Sequence, residues 1–375
     1  MLFMEDYKFE FSETSSINLY IIRILSAQMI GIAHGIQGLG FFRSAEYIGT
    51  PGLIFLFLMS GLLISHNVFR KRKRKTYEFK EFMINRFSRV YPSLLAVLII
   101  IIFLDALWLT YIGGTDISNS YNFISFIVTL FFLNDSALEI YTFGTAHQLW
   151  ALPPIWYLYM VFGWLILGRR TTKKKYLYFI FLICFSFLLV LVILGLRIWH
   201  KIICVIIWFI GVTFILLMNK FDAALSKRTN NQTIKKRIRY ISVILTVLFF
   251  ILAMLRVITH RDPFGIVYFL FFTGTILSIF VFSQYTRLRY PEKLKKGIIF
   301  MANYSFTFYL LHFSFLNLFL PIFMTLLNDI IALLLSYVLV NIVSVGVAYI
   351  TEFRYYKIRS YLSKELLSDK KARNF

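Results

Sequence analysis

Along this chain, apolar runs near or slightly below ~20 residues alternate with short polar segments, the pattern of helices that cross a ~30 Å hydrocarbon core. Ten such runs are expected to span, at about 18–38, 51–66, 91–112, 149–167, 176–196, 202–218, 240–258, 265–283, 300–320 and 330–350. An eleventh, Phe123 to Leu133, is shorter than the ~17 residues a crossing requires and is bounded by polar residues. It is expected to be re-entrant or interfacial. The fold class is therefore an all-α integral membrane protein with about ten transmembrane helices. Counting the eleventh run as a span would invert the orientation of everything after it.

Charge supplies that orientation, because Lys and Arg accumulate in cytoplasmic loops. Most of the 40 basic residues fall in 70–89, 168–175, 219–239, 284–297 and 351–375. With ten spans these segments share one side, which places both termini in the cytoplasm. Composition agrees with a membrane chain, at 59% hydrophobic and 15% charged, against about 25% charged in a soluble domain. Mean hydropathy is +0.73.

The net charge of +22 then follows from topology rather than from binding nucleic acid. The unbroken basic block Arg70 to Lys75 reads as a stop-transfer segment against anionic lipid. The acidic, polar stretch Met1 to Asn18 lacks the basic start of a cleaved signal peptide, so the first run is expected to be retained. The chain divides into a cytoplasmic segment 1–17, a membrane domain 18–350 and a basic cytoplasmic tail 351–375. Cys184 and Cys204 lie in apolar segments, and no spacing suggests a disulfide framework or a metal site.

Phosphate-binding glycine loops, paired-cysteine metal sites and glycine-flanked serine nucleophiles are absent. The candidate chemistry lies in polar groups that hydrocarbon would otherwise exclude. Arg23 and His34 fall in the first span, although an ionisable side chain at mid-bilayer costs roughly 2.5–3.5 kcal/mol on insertion scales. Ser26 and Gln28 share that run. Asp105 lies in the third, and Asn303, Tyr304, Ser305, Tyr309 and His312 lie in the ninth. Before the third span, Asn85-Arg86-Phe-Ser-Arg89-Val-Tyr91-Pro92 sets two arginines on one helix face. His66, His147, His200 and His260 fall at span ends or in loops and are expected to be ordinary interfacial or solvated histidines.

These residues together resemble the acyltransferase-3 family of bacterial membrane O-acyltransferases. Arg23 and His34 have the family's arginine, ten residues, histidine spacing. Phe55-Leu-Phe-Leu-Met-Ser60-Gly61 is similar to its phenylalanine-rich segment ending in Ser-Gly. Arg86, Arg89 and Pro92 match its arginine pair and proline. Asn303-Tyr304-Ser305-Phe-Thr-Phe-Tyr309-Leu-Leu-His312 and Glu352 match its later motifs. Two positions depart from it: Ile54 and Ile155 stand where many members carry carboxylates. The carboxylates expected on the outer side instead are Glu46, Asp116, Asp135, Glu139 and Asp262, with Asp105 within the membrane.

The resemblance implies transfer of an acyl group, usually acetyl, from acyl-CoA to a hydroxyl of a surface polysaccharide or lipid-linked glycan at the bacterial cytoplasmic (inner) membrane. On this reading His34 is the general base and Arg23 contacts the donor. Arg86 and Arg89 hold its phosphates, Tyr309 and His312 face the developing oxyanion, and no metal is needed. The rival reading is a transporter or flippase for a lipid-linked glycan, whose inverted repeats and paired broken helices are missing. A polysaccharide polymerase would carry arginines in a large outer loop, and residues 113–148 contain no Lys or Arg.

Overall fold

A computed structural model describes residues 7–111, 117–227, 231–260 and 265–372. Asp116, Arg261 and Asp262 lie outside the described residues, as does the side chain of His260. The described chain is helical, with the order α1 (Glu13–Gly38), α2 (Phe42–Arg72), α3 (Phe79–Tyr111), α4 (Phe123–Leu130), α5 (Leu152–Thr171), α6 (Lys175–Ile193), α7 (Ile198–Ser226), α8 (Asn231–His260), α9 (Ile266–Tyr285), α10 (Glu292–Met324), α11 (Asp329–Ile350) and α12 (Tyr355–Ala372). Ten of the described helices are long and apolar enough to cross a membrane. The protein is thus a multi-pass membrane protein.

Several helices run well beyond the apolar windows read from the sequence. α2 and α3 reach Arg72 and back to Phe79 because a helix satisfies its own backbone and continues into the interface once apolar residues end. The eleventh run is too short to span: α4 is eight residues long, opened by Asn122, whose side chain accepts from Ser125 N. Its small polar residues Ser125 and Thr129 are buried while Phe123 and Ile124 are exposed. That inverted amphipathicity suits a helix whose outer face meets lipid.

The chain forms two compact units. The first contains Phe41–Arg70, Ile202–Ala302 and the described N-terminal residues up to Gln37. Small residues let its helices approach closely, as is common in membranes. A Cβ on Gly52 of α2 would sit 2.8 Å from Ser26 O of α1, and Ser26 Oγ donates to Gly52 O at 2.8 Å. A Cβ on Gly61 would overlap the Trp208 carbonyl of α7, and one on Gly211 would meet Leu58 O at 2.6 Å. Trp208 Nε1 then donates to Ser60 Oγ at 3.2 Å. The Ser-Gly pair therefore has a local physical role in seating α7 on α2.

Pro51 lies inside α2 and cannot donate to Tyr47 O. Tyr268 of α9 donates its hydroxyl to that carbonyl at 3.3 Å. Residues 7–18 close over one end of this unit. Lys8 N and Phe9 N both donate to Asn219 Oδ1 (2.8 and 3.0 Å), and Gln284 Nε2 donates to Glu10 O (2.8 Å). His66 is not an ordinary span-end histidine: it is buried, stacked on Phe11 at 3.9 Å, and its Nδ1 is 2.6 Å from the Tyr7 hydroxyl. The sequence could not show that the N-terminal segment folds back over it.

The second unit contains Gly38–Gly40, Lys71–Lys201 and Asn303–Phe375. Here α3 packs on α5, α11 and α12, and α5 packs on α6. Pro153 and Pro154 occupy the first turn of α5, where a missing N–H costs nothing. Residues expected to form a basic tail make a 3-10 turn, Glu352–Arg354, and then α12 packed against α3. Glu352 Oε1 accepts from Thr307 N inside α10 at 3.0 Å, which gives this carboxylate a structural task.

Candidate functional site

Arg23 and His34 are carried by one uninterrupted helix, α1. Eleven residues at about 100° each return to within roughly 20° of the starting direction, and a rise of ~1.5 Å per residue separates them by about 16 Å. Both therefore lie on one face of α1, and both side chains are half-buried. His34 Nδ1 is 3.0 Å from Gln37 Oε1, one turn further along. With an amide oxygen facing it, Nδ1 carries the hydrogen and Nε2 carries the lone pair in the neutral ring. Ile54, at a usual carboxylate position, is fully buried in α2. A neutral amide on the histidine's own helix thus supplies the orienting contact on Nδ1.

The other candidates belong to the second unit. Arg86 points its guanidinium over the rings of Phe82 (5.6 Å) and Tyr159 (5.9 Å). Its Nε is buried without a hydrogen-bond partner among the described residues. Arg89, one turn on, is exposed. Tyr77, in the turn between α2 and α3, is buried. Desolvation pushes its phenol up to about 12, against the opposing pull of Arg86 and Arg359. It stays a neutral donor beside cations.

Tyr309 and His312 lie together on α10 and are buried. The Tyr309 hydroxyl donates to Gln148 O at 2.6 Å, and Gln148 Nε2 donates back to Leu310 O at 2.5 Å. His312 Nδ1 lies 2.8 Å from Tyr309 O, so this nitrogen also carries its hydrogen. In this arrangement Tyr309 uses its hydroxyl proton to pin the start of the α5 region, and the neutral His312 ring offers Nε2 as an acceptor. The oxyanion-donor role expected for the pair would require a change of partner by Tyr309 or protonation of His312.

The candidate carboxylates divide by environment. Asp105 is 1% exposed; its Oδ2 accepts from Thr145 N at 2.9 Å and its Oδ1 from Thr145 Oγ1 at 2.5 Å. Gly144, with φ +52°, brings the loop so close that a Cβ would collide with Asp105. Asp135 Oδ1 accepts from Thr142 N, and its Oδ2 pairs with Arg197 at 3.2 Å. Lys201 is in the first turn of α7 and 0% exposed, donating to Asp135 O and to Val192 O (2.9 Å). Glu139 is exposed, and so is Glu46 of α2 in the first unit. Ile155 is buried in α5.

Sequence reasoning missed Gln37, Gln148 and Lys201. Gln37 had a readable signal, three residues after His34, the spacing of neighbours on a helix face. Gln148 and Lys201 act through backbone carbonyls distant in sequence, which no spacing reveals. Among the described residues no group of three or more His, Cys, Asp or Glu is placed to hold a metal ion.

Neither curated proteins nor solved structures provide a match. The family model for acyltransferase-3, described as an acyltransferase domain, matches residues 17–353, nearly the whole chain. Ten apolar helices, the Arg23 and His34 face of α1 and this match agree, and the chain belongs to the acyltransferase-3 family of membrane acyltransferases.

Proposed function

We propose that the protein moves an acyl group, usually acetyl, from acyl-CoA to a hydroxyl of a surface polysaccharide or lipid-linked glycan at the bacterial cytoplasmic membrane. The observation that carries this reading is the polar face of α1, where an arginine and a histidine oriented by Gln37 are kept within a membrane-spanning helix. Family membership supports the reaction class. The donor and acceptor are our inference.

On this reading His34 Nε2 takes the proton of the acceptor hydroxyl as its oxygen attacks the thioester carbonyl. The tetrahedral adduct collapses to the new ester and expels the coenzyme A thiolate, and the imidazolium returns its proton to that sulfur. Gln37 keeps Nδ1 protonated so that Nε2 is the basic nitrogen. Arg23, about 16 Å along the same helix face, suits a phosphate or carbonyl of the pantetheine arm. Arg86 and Arg89 suit the nucleotide phosphates, whose oxygens a guanidinium can grip bidentately.

The test is acyl transfer by purified protein, read as thiol release from acetyl-CoA and as mass gain on the glycan. His34→Ala is expected to lower turnover by about 10²–10⁴ at equal protein level. Arg23→Lys keeps the charge but loses the planar fork, and is expected to fall by more than about tenfold. Wild-type turnover in His34→Ala would remove the proposed base.

A further inference from the structure

The basic end of the second unit gathers more cations than the arginine pair of α3. Lys71, in the last turn of α2, sets its ammonium 5.6 Å from the centroid of the Tyr77 ring. Arg359 comes from α12 and acts electrostatically on both Lys71 and Tyr77, as Arg86 does. Arg89 and Arg359 both act on Tyr355, at the start of α12. Among the described residues, Glu81 is the one carboxylate acting on Lys71 and Tyr77. Among the described residues, none of Lys71, Arg86, Arg89 and Arg359 has an acidic oxygen within 4.0 Å.

Bringing like charges together in half-buried surroundings is unfavourable unless something offsets it. Rotamer freedom would let long side chains disperse, yet Lys71 and Arg86 are held against aromatic rings and α12 is packed along α3 to deliver Arg359. Arg86 also buries an Nε that has no acceptor among the described residues. A single phosphate of a lipid headgroup offers about one charge at the surface. Four cations, two of them (Lys71 and Arg86) set over ring faces, suit a ligand with several charges.

We infer that Arg359 of α12 and Lys71 of α2 join Arg86 and Arg89 in one binding site for an organic polyphosphate. The C-terminal helix is then part of the site, not a membrane-surface tail. The inference rests on the proposed acyl-CoA donor only for the identity of the ligand, the phosphate-bearing nucleotide end of coenzyme A.

The test uses the full chain in a neutral detergent and three probes: coenzyme A, pantetheine, which lacks the phosphates, and inorganic pyrophosphate. Arg359→Gln and Lys71→Gln are each expected to weaken coenzyme A and pyrophosphate binding by about tenfold or more and to leave pantetheine unchanged. Arg359→Lys should retain most of the affinity. Lys71→Gln, on a different helix, gives an independent reading where Arg359→Gln yields no folded protein.

Wild-type binding of both phosphate probes by Arg359→Gln and Lys71→Gln, with loss in Arg86→Gln, overturns the inference and leaves the donor reading standing. Pyrophosphate binding that needs Arg359 in a protein that does not bind coenzyme A supports the site and removes acyl-CoA as its ligand. Competitive displacement of pyrophosphate by phosphatidylglycerol in nanodiscs, absent with a zwitterionic lipid, overturns the inference in favour of a lipid contact.

Discussion

The two ends of the second unit use the same kinds of side chain in opposite ways. Around Asp105 and Asp135 the buried charges find partners: Thr145 serves Asp105, Arg197 and Thr142 serve Asp135, and Lys201 donates to two carbonyls. About 28 Å of α3 away, Lys71, Arg86, Arg89 and Arg359 stand close with no acidic oxygen in ion-pair range among the described residues. Buried polar groups that are satisfied hold a structure together. Four cations that share one nearby carboxylate, Glu81, and make no ion pair among the described residues leave room for an anion from outside the chain. The difference separates architecture from chemistry within one bundle.

Which way these ends face is an all-or-none question. Lys73, at the basic end, and Asn119, in the loop that leads to α4, are both exposed. With the termini in the cytoplasm, a cysteine at Lys73 is expected to be protected from an impermeant thiol reagent applied to whole cells, and one at Asn119 to react. The reverse pattern would put the phosphate-binding end on the wrong side for a cytoplasmic donor and sink the acyl-CoA assignment.

Next in size is the stability of the paired end. Asp105→Ala removes the acceptor of two buried Thr145 donors, at about 1–3 kcal/mol each. Loss of most folded protein is expected, seen as early thermal unfolding and aggregation in detergent. Arg86→Gln, which breaks no hydrogen bond of its Nε, is expected to fold at wild-type yield. Equal stability of the two variants would erase the distinction between the ends.

Function should respond in the opposite sense. Arg86→Gln or Arg89→Gln is expected to raise the KM for the acyl donor by about ten- to a hundredfold, the worth of a charge-assisted hydrogen bond, while the KM for the acceptor stays put. Steady-state kinetics with each substrate varied in turn reads the split. An equal rise in both KM values would make these arginines supports of the bundle rather than donor contacts.

Much of this was legible in the sequence where one helix carries the whole signal. Ten spans follow from apolar length, and Arg23 and His34 stand out because hydrocarbon does not tolerate them without cause. Arg86 and Arg89 are read from their spacing on a single helix. What was not legible depends on packing between distant segments. Arg359 looked like one of several basic residues in a tail, and nothing local says that α12 turns back along α3 to set it near Lys71. The burial of Lys201 is explained by the carbonyls of Asp135 and Val192, which no local pattern points to. His66 looked solvated because the covering residues, Tyr7 and Phe11, lie at the far end of the α1–α2 pair in sequence.

The smallest expected effect tests whether the basic end is strained without its ligand. If the cations there repel one another, neutralising one should stabilise the unliganded protein, against the common outcome that substitutions destabilise. Partly exposed charges interact by about 0.2–1 kcal/mol, so Arg89→Gln should raise the unfolding temperature slightly at low salt. Added salt should shrink the gain, because screening at 1 M salt reaches down to about 3 Å. Coenzyme A should reverse the order of the two proteins, since the wild type gains more from the bound phosphates than the variant does. Thermal unfolding of both proteins at low and high salt, with and without coenzyme A, gives the sign of each term. A variant less stable than the wild type under every condition would mean that Arg89 has a structural partner, and the contrast between the two ends would then rest on Lys71, Arg86 and Arg359.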